Sequence, residues 1–238
     1  MNLKKREDYL KSLKNMRANI YKFGDLIEDV TMHPATRRTV ESHARAFDAA
    51  LDTKYQDIFT TTSYLTGKKI FRFNSLMQSL EDIIYNSRFK RIMYHLTGTC
   101  SGALCVGWHA QNVLWNVTYE MDNELGTDYH NRLKNWILFA EENGLTVAGA
   151  LTDAKGDRSL KPSQQEDKIS FLHISKVRKD GIEISGVKAM ICGVAAANEI
   201  FILPGSSYKE ADKDCSVACV IPRDIEGLTI VETCLKQV

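Results

Sequence analysis

Two stretches of the 238-residue chain hold side chains whose types and spacing suit chemistry. In "TGTCSGALCVGWHAQN", Cys100 and Cys105 stand in a glycine-rich run. One reading is a buried packing pair, since free cysteine is commonly buried. The other is a pair of ligands for a metal ion or an iron–sulfur cluster. The spacing is C-x4-C. On an ideal helix, residues five apart point roughly 140° apart, whereas residues four apart differ by only about 40°. Convergence of the two thiols therefore asks for an irregular backbone, a loop or a π-bulge, which the glycines permit. Thr97, Thr99 and Ser101 can hydrogen-bond around such a site, and His95 and His109 flank it.

The second stretch is "GALTDAKGDRSLKPSQQED", Gly149 to Asp167. Lys155-Gly156-Asp157 is good turn chemistry, and a plain surface loop is one reading. A ligand-facing loop is the other. Thr152 and Asp153 can hydrogen-bond the edge of a planar polar ring, and Arg158 can meet a phosphate or carboxylate. The spacing alone names no ligand.

Other residues argue for less. Cys215 and Cys219 in "CSVAC", read as strand residues, lie on one face roughly 13 Å apart. They cannot share a metal ion, so core packing is expected, and Cys234 is also read as structural. The chain has no G-x-G-x-x-G after a strand, no P-loop, no H-E-x-x-H and no G-x-S-x-G. Rossmann dehydrogenases, P-loop NTPases, zincins and α/β-hydrolases are disfavoured accordingly.

The elements that must position these residues follow from periodicity. "REDYLKSLKNMRANIY", "ATRRTVESHARAFDAALD" and "NSLMQSLEDIIYNSRFKRIMYHL" carry apolar residues at helical spacing. In the third, Leu76, Leu80, Ile83, Ile84, Phe89, Ile92 and Met93 predict one buried stripe. A further apolar, helical stretch runs from about residue 100 to Glu124, and "DYHNRLKNWILFAEENG" ends on a capping Gly144. Beyond it come short runs rich in Ile and Val, with Lys179-Asp180-Gly181 as a hairpin turn. The expectation is an α+β chain: a helical N-terminal domain over residues 1–144, then an antiparallel β-barrel or sandwich over 145–238.

Composition is that of an ordinary globular protein, 44% hydrophobic and 26% charged. With 31 Lys and Arg against 30 Asp and Glu, the net charge of +1 gives no reason to expect a nucleic-acid or membrane-surface partner. No transmembrane-length run occurs, and the basic N-terminus lacks an apolar h-region, so a cytoplasmic location with reduced thiols is expected.

In order, "DVTMHPATR", "TGTCSGALCVG", "GTDYH", "GALTDAKGDRSLKPSQQED", "DGIEISGVKAM" and "EADKD" resemble the 4-hydroxyphenylacetate 3-hydroxylase family over essentially the whole chain. "ADKD" and the paired cysteines resemble its 4-hydroxybutyryl-CoA dehydratase/vinylacetyl-CoA Δ-isomerase branch. The resemblance implies an acyl-CoA dehydrogenase-like fold with FAD between a middle β-domain and helices. It puts Leu151, Thr152, Asp153, Arg158, Ser159 and Cys192 at the flavin, and Cys100 and Cys105 on a [4Fe-4S] cluster. It implies an acyl-CoA substrate, dehydrated through a radical route to crotonyl-CoA, and a family tetramer. Against the family pattern, the cysteine pair is C-x4-C rather than C-x3-C, Ala154 replaces a Pro, and Cys192 replaces a Thr. The C-terminal helix bundle, with the remaining cluster ligands, is expected to be missing, so a complementing helix-bundle chain or a homo-oligomer is the expected partner. Two other functions remain open: a flavin-dependent aromatic hydroxylase, which needs no cluster, and a non-catalytic remnant or assembly module.

Overall fold

A computed structural model describes residues 3–233, with 155, 158 and 168 left out. The chain begins with helix α1 (Arg6–Lys14), then a short hairpin of β1 (Ile20–Lys22) and β2 (Asp25–Ile27). Helix α2 (Arg37–Leu51) and the single turn α3 (Gln56–Phe59) lead into a second hairpin, β3 (Thr60–Thr62) with β4 (Lys69–Phe71). Three long helices follow: α4 (Leu80–Thr97), α5 (Gly102–Leu125) and α6 (Tyr129–Asn143). Strands β5 (Val147–Ala150), β6 (His173–Val177), β7 (Ile182–Ser185), β8 (Glu199–Ile202), β9 (Cys219–Pro222) and β10 (Ile230–Val231) complete it.

The expected barrel or sandwich is not what the described strands build. They form separate sheets of two or three strands, and none closes. Nor is the pairing purely antiparallel: β5 and β8 run parallel, in register Val147 to Glu199, and β9 adds antiparallel to β8. The reason lies in connection length. A parallel pair needs a crossover of a dozen residues or more, and the long segment between Ala150 and Glu199 supplies one while carrying its own hairpin. That hairpin, β6–β7, turns at Lys179-Asp180-Gly181 as expected, with Arg178 N–H donating to the Gly181 carbonyl at 2.8 Å. The last strand, β10, returns to pair parallel with β1, so the two ends of the described chain share a sheet.

Helix α4 starts later than its apolar pattern suggests. Ser79 caps it in a reciprocal capping box with Asp82. Its buried face runs through Asn86, Phe89 and Met93, spaced three and four apart, while Leu80, Ile83 and Ile84 are exposed. The stripe drawn from hydrophobicity alone therefore mixes two faces. Gly144 does cap α6, at φ +52°.

The main core gathers Tyr9, Phe47, Phe71, Phe73, Phe89 and Trp108. Tyr9 stacks on Phe47 with ring centroids 4.5 Å apart and sends its hydroxyl to the Ala196 carbonyl at 2.8 Å. That bond ties the first helix to the β-rich half. Helix α5 lies directly on β5. A Cβ at Gly107 would fall 2.6 Å from Val147 Cβ, so only glycine permits this approach. Strand β5 and helix α5 thus fix each other, and the two stretches singled out above lie at their ends.

Candidate thiol and loop site

The C-x4-C spacing resolves at the start of α5. Ser101 is the residue before the first helical turn, and its carbonyl accepts the N–H groups of Leu104 at 2.8 Å and Cys105 at 2.9 Å. Cys100 lies one residue outside the helix and Cys105 at its fourth position. These are the two positions that a hydrophobic staple brings together across a helix start. No π-bulge is needed, because Cys100 is not helical. Cys105 lies close enough to Cys100 for its thiol to raise the Cys100 thiol.

Helix α5 is anchored from behind by His43, a residue with no sequence signal. His43 is fully buried on α2. Its Nδ1 lies 2.7 Å from the Thr39 carbonyl and donates to it, leaving Nε2 to accept the Ala103 N–H at 3.1 Å. Burial pushes its pKa down to about 4, so the ring is neutral and can accept. The flanking histidines do other work. His109 is exposed, with Nδ1 2.6 Å from the Cys105 carbonyl and Nε2 near Lys90. His95 is exposed on α4.

A second segment meets this helix start. Residues 186–193 run from β7 across the mouth of α5, with Met190 at φ +58° and 86% exposed. A bulky residue in the left-handed region is a strained one, and such strain persists only where the surroundings fix it. Here the fixing contact is at Gly102, where a Cβ would fall 2.7 Å from Cys192 Cβ. Cys192 is exposed, as is Cys100. Burial first, then Cys105, push the Cys100 thiol up; Cys192 is raised by burial and by Cys100.

The same segment holds the Thr152–Asp153 stretch. Asp153 and Lys188 form an isolated bridge, and Ala189 N–H donates to the Thr152 carbonyl at 2.8 Å. Lys188 Nζ donates to Asp153 Oδ1 and to the carbonyls of Leu151, at 3.1 Å, and Leu203, at 2.9 Å. The Tyr208 hydroxyl donates to the other oxygen, Asp153 Oδ2, at 2.6 Å. Asp153 is buried with both oxygens engaged, so it braces the loop rather than facing outward. Burial and this carboxylate push Tyr208 up to about 12. Lys188 and Tyr208 were not legible as site residues; only their packing on Asp153 marks them.

Farther along, the loop is knitted to itself. Ser159 Oγ and N–H both donate to Asp157 Oδ1, at 2.7 and 2.9 Å. Gln165 Oε1 accepts the Asp157 N–H at 3.0 Å, and its Nε2 donates to the Asp157 and Leu160 carbonyls. Many of the loop's hydrogen-bonding side chains thus close the loop itself. Arg158 lies outside the described residues, as does Cys234.

Cys215 ends a 3-10 turn instead of sitting in a strand, and is buried. Cys219, on β9, packs beside the core of the β-rich half, and burial pushes it up to about 11. Both are packing residues. Among the described residues, no group of three or more His, Cys, Asp or Glu could hold a metal ion. A four-iron cluster asks for four ligands. The Cys100–Cys105 pair has the right donor chemistry for part of such a site and does not complete one. Among the described residues, no helix is long and apolar enough to cross a membrane.

Comparison with known proteins gives consistent results. Residues 5–234 match the family model for the 4-hydroxyphenylacetate 3-hydroxylase N-terminal region. A 4-hydroxybutyryl-CoA dehydratase/vinylacetyl-CoA-Δ-isomerase of Clostridium aminobutyricum is 39% identical over 225 residues, covering 94% of this chain and 46% of the relative. A 4-hydroxyphenylacetate 3-monooxygenase oxygenase component of a Geobacillus strain is 22% identical over 227 residues, with the same coverage. Among solved structures, an oxygen-tolerant archaeal 4-hydroxybutyryl-CoA dehydratase from N. maritimus superposes with a TM-score of 0.92 at 33% identity, over 97% of this chain and 45% of the other. The oxygenase component of a 4-hydroxyphenylacetate 3-monooxygenase, complexed with FAD, gives 0.79 at 20% identity, which speaks to fold alone. The chain spans about half the length of these curated relatives.

Proposed function

Because the chain belongs to the 4-hydroxyphenylacetate 3-hydroxylase N-terminal family, we propose that it is part of a FAD-dependent acyl-CoA dehydratase of the 4-hydroxybutyryl-CoA dehydratase/vinylacetyl-CoA isomerase type. The observation that carries the reading is the thiol pair of Cys100 and Cys105 at the start of α5, in a chain 39% identical to such a dehydratase.

The flavin would lie against the edge formed by Leu151–Asp153 and residues 188–192. The surface there fits a flat, amphipathic ring. Leu151 and Met190 expose apolar side chains, Thr152 offers a hydroxyl and Cys192 a thiol. Asp153, clamped by Lys188 and Tyr208, holds this edge in shape. Ser159 lies farther along the same loop, where the phosphates would run, and Arg158, outside the described residues, is their proposed partner by residue type. Bound FAD would supply one-electron transfer to and from the acyl-CoA substrate, which is what removal of a non-acidic β-hydrogen requires. His43 keeps the thiol-bearing helix start in place without taking or giving a proton near neutral pH. Cys100 and Cys105 would hold part of an iron–sulfur cluster whose other ligands lie outside the described residues.

The exposed apolar residues Leu80, Ile83 and Tyr94 on α4 and Val113 and Val117 on α5 support a helical partner surface, from a complementing helix bundle or a second copy. The test is anaerobic purification with the cognate full-length or complementing chain. FAD, iron and conversion of 4-hydroxybutyryl-CoA to crotonyl-CoA would then be measured. All three support the dehydratase. FAD without iron moves the chain to the monooxygenase branch, and neither cofactor leaves a non-catalytic module.

A further inference from the structure

A cavity of about 230 Å³ forms where the N-terminal segment and the β3–β4 hairpin meet the end of α6. It is smaller than the roughly 300–1,000 Å³ of drug-sized sites, so its occupant is a small molecule. Three cations line it: Lys4 from the segment before α1, and Lys68 and Lys69 from the hairpin. Glu141 and Glu142 line it from the last turn of α6. Among the described residues, no ion pair joins any of these lysines to either carboxylate. Ile70, Phe71 and Leu138 add apolar lining. The walls are closely fitted, since a Cβ at Gly144 would fall 2.8 Å from the Phe71 ring.

Both signs of charge are poorly met here. Burial pulls Lys4 down to about 8 and holds the Glu141 carboxyl above its usual range. Glu141 is only 7% exposed. Ser63 engages its Oε2, while Oε1 has no partner among the described residues. A buried acceptor left unmet is costly. The last turn of α6 holds no basic residue, although a helix C-terminus already carries partial negative charge. That part of the cavity calls for a cation that donates hydrogen bonds, and the lysines call for an anion. An inorganic ion answers one demand; a molecule carrying both charges answers both.

We propose that this cavity binds a small zwitterion, with a primary ammonium at Glu141 and Glu142, a carboxylate at the lysines, and a short apolar chain against Ile70, Phe71 and Leu138. Neither the thiols nor the flavin edge enters this site, so it stands or falls apart from the dehydratase reading.

The experiment is calorimetric titration of the full chain with 5-aminopentanoate and 6-aminohexanoate, against pentanoate, pentylamine and inorganic phosphate as controls. At least one amino acid should bind about tenfold more tightly than every control and raise the melting temperature. Lys68, Lys69 and Glu142 are exposed, so their substitution leaves the core alone. Glu142→Gln and the double change Lys68→Gln/Lys69→Gln should each weaken binding by about tenfold, and Glu141→Gln should abolish it. The melting temperature of each variant without ligand checks that the fold is retained. Absence of binding by both amino acids overturns the proposal. Equal binding of phosphate, pentanoate or pentylamine also overturns it, because the site would then serve one charge only. Undiminished binding to the folded variants would place the molecule elsewhere and sink it as well.

Discussion

His43 Nε2 accepts the backbone N–H of Ala103 at 3.1 Å, so a neutral imidazole on α2 closes the buried start of α5, beside Cys100 and Cys105. The contact joins residues 60 positions apart in the chain. A cation could not make it, because a protonated ring has no lone pair to offer.

A pH dependence follows. His43 titrates near 6.5 in an unfolded chain and at about 4 in the folded one. The unfolded state therefore binds the proton more readily below pH 6.5. Stability from this group is complete above 6.5 and falls toward pH 4 by roughly 1.4 kcal/mol per unit, about 3 kcal/mol in all. Denaturant melts at pH 7, 5.5 and 4.5 on wild type and His43→Gln measure it. The variant should lose stability at pH 7, by about 1–3 kcal/mol for the unmet Ala103 N–H, and should show a shallower acid slope.

Asp153 and Lys188 form a buried pair, with side-chain exposures of 10% and 7%. Removing one partner from such a pair costs about 3–5 kcal/mol, because the other is left charged and uncompensated. Asp153→Ala should lower stability by that amount, and Tyr208→Phe by about 1 kcal/mol. The double variant Asp153→Ala/Lys188→Met should be more stable than the sum of its single changes predicts. Additive losses in this cycle would contradict the brace.

Thr152→Val tests the flavin edge without touching the brace. The side chain is half-buried, and the loop's backbone bond to Ala189 does not involve its hydroxyl. FAD affinity in the cofactor-loaded full-length protein should fall about tenfold, the equivalent of one hydrogen bond, with the melting temperature unchanged. Unchanged affinity would move the ring off this edge.

Gly102→Ala would force its new methyl group against Cys192, 2.7 Å away at Cβ. Either the 186–193 loop lifts or the helix start shifts. The expected cost is about 1–3 kcal/mol, read as a lower melting temperature. An unchanged melting temperature would show that the loop gives way without cost.

Glu141 offers a charge-removal test. Its Oε2 accepts from Ser63 at 2.7 Å, while the buried Oε1 has no partner among the described residues. Burial holds its carboxyl above the usual range. A raised carboxyl stabilises the fold below its unfolded pKa, and that stability is lost as pH rises through the folded value. Glu141→Gln should therefore raise the melting temperature at pH 8 and change it little at pH 4.

The sequence by itself determined the helices with a clean period, the Lys179-Asp180-Gly181 hairpin and the Gly144 cap, because each rests on contacts within a few residues. It also pointed to Cys100, Cys105 and the Thr152–Asp153 stretch, because their chemistry is local and their motifs are long. Only the tertiary structure decided the parallel pairing of β5 with β8 and of β1 with β10, which join segments far apart in the chain. The same holds for the outward turn of Leu80, Ile83 and Ile84. Hydropathy marks them as apolar but does not say which neighbours arrive to cover a helix face. The largest gap lay in the site. His43, Lys188 and Tyr208 are ordinary residues in ordinary contexts, and they acquire roles only from what folds against them. The C-x4-C spacing shows the same limit. Its two residues would point apart on a continuous helix, and Cys100 is instead left outside the first turn, a choice made by the cap at Ser101 and by the packing of α5 on β5.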